Sequence, residues 1–211
     1  MKFKNIEGIR IVYAIIEAIQ TNKDYLSEVD GAIGDGDHGI NMNKGFTLAK
    51  EELPSDANMS KGFQVISKVL MSKIGGSMGP LYGNFFRGLF NASKNYDEID
   101  GEIIGEMLDK AYDNIRKISE AKVNDKTLVD VLDPAIHMYH EEYDASKNEI
   151  KALNAMRDAS KDGLEATKEM VAKLGRAARL GERSKGYYDA GATSTQIILE
   201  TFANSCIELL K

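Results

Sequence analysis

The chain has 211 residues, 43% hydrophobic and 28% charged, with 27 basic side chains against 33 acidic ones and a net charge of −6. That length and mixture suit one globular domain with a continuous core and exclude a disordered tail, a collagen repeat and a coiled-coil rod. No apolar run of about 18 residues is present to span a membrane, the first residues do not read as a signal peptide, and no basic block points to nucleic acid.

In chain order, Ile6, Ile9, Tyr13, Ile16 and Ile19 recur at three- and four-residue spacing and predict a first amphipathic helix. A shorter helix is expected over Ile40–Glu52. Beyond a polar connection at Pro54–Met59, Ser60 is a candidate cap for a helix carrying Phe63, Ile66, Val69 or Leu70, and Ile74. Pro80–Asn91 follows, with Pro80 read as the first helical residue, where its missing N–H is tolerated. Ile104, Met107, Leu108, Ala111, Ile115 and Ile118 form a further stripe, and Leu128–Glu142 reads as a helix bent at Pro134. A polar connection at Tyr143–Lys147 precedes a long helix from about Asn148 to Leu174. The last stripe is Ile198, Phe202, Cys206 and Leu209; the lone Cys206 cannot form an internal disulfide and fits a reducing, cytoplasmic setting. No segment alternates with period two between turn signals, so no sheet is expected. The sum is an all-α chain of about eight helices, residues 1–211 as one domain, folded as an antiparallel bundle or barrel.

Fourteen of the 19 glycines fall in three windows, Gly31–Gly45, Gly75–Gly88 and Gly175–Gly191. Glycine admits backbone angles and close approaches that a Cβ forbids, so the windows are either connections between helices or loops converging on one ligand. The first holds Asp30, Asp35 and Asp37 within eight residues, which repel one another unless water or a cation separates them. Oxygen-only donors suit Mg²⁺ completed by substrate phosphates, although Asp-Gly pairs are also ordinary turn chemistry. An EF-hand is excluded, because the twelfth position is Phe46 counted from Asp35 and Asn41 counted from Asp30. His137 and His140 share a helix face without the cysteine or carboxylate spacing of a zinc site.

The second window, Gly75-Gly76-Ser77-Met78-Gly79-Pro80, leads into a helix start that can aim free N–H groups at an anion. From spacing alone, a tight turn with close helix packing is the better reading, and no Walker lysine exists. The third window runs against the overall charge: Arg176, Arg179, Arg183 and Lys185 accompany only Glu182. It is a solvated basic loop or, taken with the other two, the phosphate-facing part of a metal–nucleotide site.

The segments Ile33–Phe46, Gly75–Phe86, Asp125–Leu128 and Gly175–Ser194 resemble, in order and spacing, the L subunits of bacterial dihydroxyacetone kinases, and the resemblance spans essentially the whole chain. It implies an eight-helix antiparallel barrel with ADP or ATP held at one end. By that resemblance Asp30, Asp35 and Asp37 match the ligands of two Mg²⁺ ions bridged to the phosphates. His38, Gly39, Ile40 and Asn41 match a phosphate-contacting turn, and Ser77 and Met78 a second nucleotide-contacting pair. Leu128 matches the apolar position near the adenine, Arg176 a catalytic arginine beside the phosphates, and Asp189, Ala190 and Gly191 the turn that closes over the nucleotide. The family's chemistry is implied too: bound ADP is rephosphorylated by a phosphohistidine of an M subunit and passes the group to dihydroxyacetone held on a K subunit. The departures are Met78 in place of a small polar residue, Ala190 in place of a proline, and Ser119 and Asn124 in place of glycines. They leave open a second class of function, a non-catalytic nucleotide-dependent regulator that binds a partner such as a transcription regulator. A fatty-acid-kinase-like domain is disfavoured, since such domains carry threonine where His38 stands.

Overall fold

In the computed structural model, which describes residues 1–211, the apolar stripes fold into nine α-helices. They are α1 (Ile9–Thr21), α2 (Lys23–Ile33), α3 (His38–Glu52), α4 (Met59–Lys73), α5 (Met78–Ser93), α6 (Gly101–Ile118), α7 (Val129–Ser146), α8 (Glu149–Ala166) and α9 (Ala190–Leu210). One core of 47 buried residues draws on every helix, as expected when amphipathic faces pack around a shared axis. No helix is long and apolar enough to cross a membrane.

Phe63, Ile66, Val69 and Leu70 of α4 and Ile104, Met107, Leu108, Ala111 and Ile115 of α6 are buried as expected, whereas Ile118, the last residue of α6 and of that stripe, is exposed. Other details differ. In α1 the buried face is Ile11, Val12, Ile15, Ile16 and Ile19, while Ile6 precedes the helix and Tyr13 is exposed, because two overlapping stripes compete in this isoleucine-rich stretch. Asn58, not Ser60, caps α4 by accepting from Lys61 N at 2.8 Å; Ser60 is instead buried and bonded to Asn5. Pro80 is the third residue of α5. The α7 helix continues through Pro134 to Ser146 and turns at Lys147 (φ 49°). Because proline donates no hydrogen bond, the Asp130 carbonyl is released toward α8, where a Cβ on Gly163 would lie 2.4 Å from it. The long helix from Asn148 stops at Ala166, and the chain passes through a 3₁₀ turn at Thr167–Glu169.

A small sheet was not expected and is present. Strands β1 (Lys2–Lys4) and β2 (Glu98–Asp100) pair antiparallel, with the buried Phe3 opposite the buried Ile99. Three residues each are too few to show a period. Helix α2 is the other addition, and it places Asp30 in a helical last turn instead of a loop.

Candidate functional site

The starts of α3, α5, α7 and α9 meet at one end of the bundle, where His38, Ser77, Met78, Leu128, Asp189, Ala190 and Gly191 line a cavity of about 330 Å³. Each helix start carries N–H groups without intrahelical partners and the positive end of the helix dipole. Four of them around one cavity make a strong setting for an anion such as a phosphate chain.

The carboxylates sit on one wall. Single oxygens of Asp30, Asp35 and Asp37 all lie within 4.8 Å of one another. Asp30 comes from the end of α2, the other two from the turn into α3. A Cβ on Gly34 would fall 2.3 Å from Asp30 Oδ1, so only glycine lets the chain pass this close. Gly36 adopts φ 76°, the left-handed angle the turn requires. His38 N donates to Asp30 Oδ2 at 3.3 Å, which fixes the carboxylate to the start of α3. Three hard oxygen donors converging on space that opens to the cavity fit Mg²⁺, which retains waters and takes phosphate oxygens. The Arg176 guanidinium pairs with Asp35 across the mouth.

Behind the triad lies a buried polar network. His38 Nε2 and Ser194 Oγ are 2.8 Å apart, and Ser194 Oγ lies 2.5 Å from the Tyr82 hydroxyl, which donates to Gly191 O at 3.0 Å. The network ties the starts of α3, α5 and α9 together. Burial holds the His38 imidazole down at about 4, against the upward pull of Asp30, so the ring is neutral at pH 7. Burial likewise pushes the Tyr82 phenol up to about 12. Asp189 caps α9 by accepting from Ala192 N at 2.7 Å. Burial raises its carboxyl to about 6; the Ala192 N–H and Lys126 pull it down, while Asp130 and Asp30 push it further up.

The lining also has an apolar part, which includes Ile33, Leu81, Leu128, Leu174 and Ala177; Ile33 and Ala177 cluster beside the carboxylates and Arg176. The loop from Ser119 to Leu128 adds Ser119, Ala121 and Lys126 to the lining and is held by Asp130, which accepts from Asn124 N at 2.5 Å and Thr127 N at 2.8 Å.

Of the residues singled out from the sequence, Asp30, Asp35, Asp37, His38, Ser77, Met78, Leu128, Arg176, Asp189, Ala190 and Gly191 line this cavity. Gly39, Ile40 and Asn41 do not. Gly39 packs α3 on α2, where a Cβ would lie 1.9 Å from Lys23 O; Ile40 is 54% exposed; Asn41 N is engaged with Asp37 O at 2.9 Å. The glycines of the second window also divide. Gly79, Gly83 and Gly88 are helix-packing positions in α5, as the spacing favoured. His140 pairs with Asp109 and His137 with Glu141, outside the cavity lining. The sequence reading missed Tyr82, Ser194 and Lys126, although all three lie inside the quoted motifs.

Residues 32–204 match the model of the DAK2 domain. The chain belongs to the DAK2 domain family. Among its relatives is the PEP-dependent dihydroxyacetone kinase 1, ADP-binding subunit DhaL, of Listeria innocua, 36% identical over 86% of this chain and 87% of that protein. The PTS-dependent dihydroxyacetone kinase, ADP-binding subunit DhaL, of Lactococcus lactis is 36% identical over 88% of this chain and 89% of its own length. The DAK2 fold is also seen in the crystal structure of the C. freundii dihydroxyacetone kinase in complex with AMP-PNP and Mg²⁺. That match has a TM-score of 0.65 at 23% identity and covers 95% of this chain but 33% of that one.

Proposed function

We propose that this DAK2 chain is the ADP-binding subunit of a multisubunit, phosphoenolpyruvate-dependent dihydroxyacetone kinase, a phosphotransferase that turns over only with its partners. The observation that carries the reading is the meeting of a carboxylate triad, an arginine and four helix starts on one cavity that also has an apolar lining. In this reading Asp30, Asp35 and Asp37 hold Mg²⁺, as two ions, against the phosphates of ADP or ATP. When bound, Mg²⁺ and the nucleotide supply the phosphoryl acceptor and neutralise charge in a loose, charge-rich transition state.

The chain's own residues then bind and orient. Arg176 and the starts of α3, α5 and α9 face the phosphates with fixed positive potential. His38, neutral and held by Ser194, contributes position, not charge. Leu128 and its apolar neighbours take the base, and the Asp189-Ala190-Gly191 turn closes the cavity. No general base is assigned, because an M subunit with a phosphohistidine would deliver the group and a K subunit would present dihydroxyacetone. The buried Cys206 fits the cytoplasm as the place of action.

The test is to denature the purified protein and measure released ADP, then to add K and M subunits with the phosphoenolpyruvate system and dihydroxyacetone. Released ADP and turnover are expected, and Asp35→Asn should abolish nucleotide retention. ADP without turnover would instead indicate a nucleotide-dependent regulator. A protein that neither carries nor binds nucleotide with Mg²⁺ refutes both.

A further inference from the structure

Lys126 is 1% exposed, and its partners are unusual for a buried charge. Its ammonium donates to Thr167 O at 2.6 Å, Tyr187 O at 2.6 Å and Met170 O at 3.3 Å. An ammonium has three N–H donors and here meets three carbonyls, so the charged form is fully satisfied without any carboxylate partner. The three carbonyls bracket one segment, Thr167 to Tyr187, which carries Arg176 in its middle and delivers Asp189 at its end. Lys126 itself stands in the Ser119–Leu128 loop, beside Thr127 and Leu128, with φ 61°. Further bonds run the same way: Lys173 N donates to Asp125 O at 3.2 Å and Lys173 Nζ to Asp125 Oδ1 at 3.0 Å.

The Ser119–Leu128 loop and the Thr167–Tyr187 segment are distant in sequence, both line the cavity, and are joined at Lys126. We infer that Lys126 is a positioning residue that pins the Thr167–Tyr187 segment to the Ser119–Leu128 loop, so that Leu128 and Arg176 are held as one unit and a bound nucleoside diphosphate is released slowly. The consequence for nucleotide rests on the function proposed above; the pin itself does not. Removing the donors leaves the partly buried Met170 and Tyr187 carbonyls without a partner and Thr167 O with Met170 N alone, and the segment is then free to open while the helices stay packed.

The experiment compares the full chain with Lys126→Met, which keeps length and loses all donors, and Lys126→Gln, which keeps two. Trypsin has Lys168, Lys173, Arg176, Arg179, Arg183 and Lys185 as cleavage points within the segment. In the nucleotide-free protein, Lys126→Met is expected to be cut there first, at least about tenfold faster than the parent, under conditions where its helical circular dichroism is unchanged. Release of a fluorescent ADP analogue from the folded, Mg²⁺-loaded protein should accelerate by about tenfold or more, with Lys126→Gln between the two. A merely structural role would lower the melting temperature and leave release from the folded protein untouched, and that result overturns the inference. Native-state hydrogen exchange on the unaltered protein decides the matter even if Lys126→Met fails to fold. Amides of residues 122–128 and 170–188 are expected to open together, below the free energy of α1 and α9, and independent opening refutes the pin. If the unaltered protein binds no nucleotide, the function proposed above fails while proteolysis and exchange still decide the pin.

Discussion

Asp189→Asn is expected to stabilise the nucleotide-free protein near neutral pH. The Asp189 carboxyl is raised from 3.8 to about 6, so the folded state prefers it protonated. Below 3.8 it is protonated in both states and its contribution is fully present. As the pH rises from 3.8, the unfolded chain ionises first and stability falls, until the loss levels off above about 6. A gap of roughly two pH units is worth about 3 kcal/mol at most, and the partial opening of the carboxylate on the cavity reduces this to about 1–2 kcal/mol. Asparagine keeps an oxygen for Ala192 N, so the α9 cap survives while the charge is removed. Urea unfolding of both proteins at pH 4, 5, 6 and 7.5, without Mg²⁺ or nucleotide, measures the difference. Other carboxylates cancel in that subtraction. The variant should be more stable by about 1–2 kcal/mol at pH 7.5 and nearly equal to the parent at pH 4. A difference that does not vary with pH, or a variant less stable at pH 7.5, would refute the reasoning.

Three further outcomes follow from local geometry. Ala190→Pro should raise stability by about 0.4–1 kcal/mol in thermal melts, because Ala190 is the first residue of α9, where the N–H has no helical partner, and Asp189 already has φ −81° and ψ 133°. Gly88→Ala should lower stability by about 1–3 kcal/mol despite the better helix propensity of alanine, since its Cβ would lie 2.4 Å from both the Cα and N of Ala111, which are backbone atoms that cannot step aside; the urea midpoint reports it. The His38 ring should titrate near 4 by NMR, its contribution to stability present above 6.5 and lost as the pH falls toward 4; a midpoint at or above 6.5 would contradict its burial.

What could be read from the sequence follows from how local each cause is. The helices α4 and α6 show themselves because a 3.6-residue apolar period is a direct image of their buried faces. Helix α2 does not, since only Leu26 and Ile33 of its eleven residues are buried and its Asp30-Gly31 pair imitates a turn. The long helix ending at Ala166 was overextended for a reason 41 residues away: the carbonyls beyond it turn toward Lys126. The same division runs through the site. The three aspartates and the arginine-rich segment stand out as local charge anomalies. The link from His38 to Ser194 spans 156 positions and that from Tyr82 to Ser194 spans 112, and no local pattern announces either.

The geometry also accounts for the absence of a phosphate-binding lysine loop. Successive antiparallel helices put every second start at the same end, and here α3, α5, α7 and α9 all open on the cavity. Positive potential is thereby supplied by backbone, which needs no titratable group and no side-chain ordering at the moment of reaction. Backbone potential cannot move, however, and the triad and the phosphates it would hold carry the same sign. The positive side chain at the mouth is Arg176, paired with Asp35 and carried on a segment that Lys126 holds near both ends. A site built this way would hold its ligand by the rigidity of the bundle. Such a division of labour suits a chain that keeps its nucleotide through successive transfers and leaves the chemistry of the other substrate to a partner.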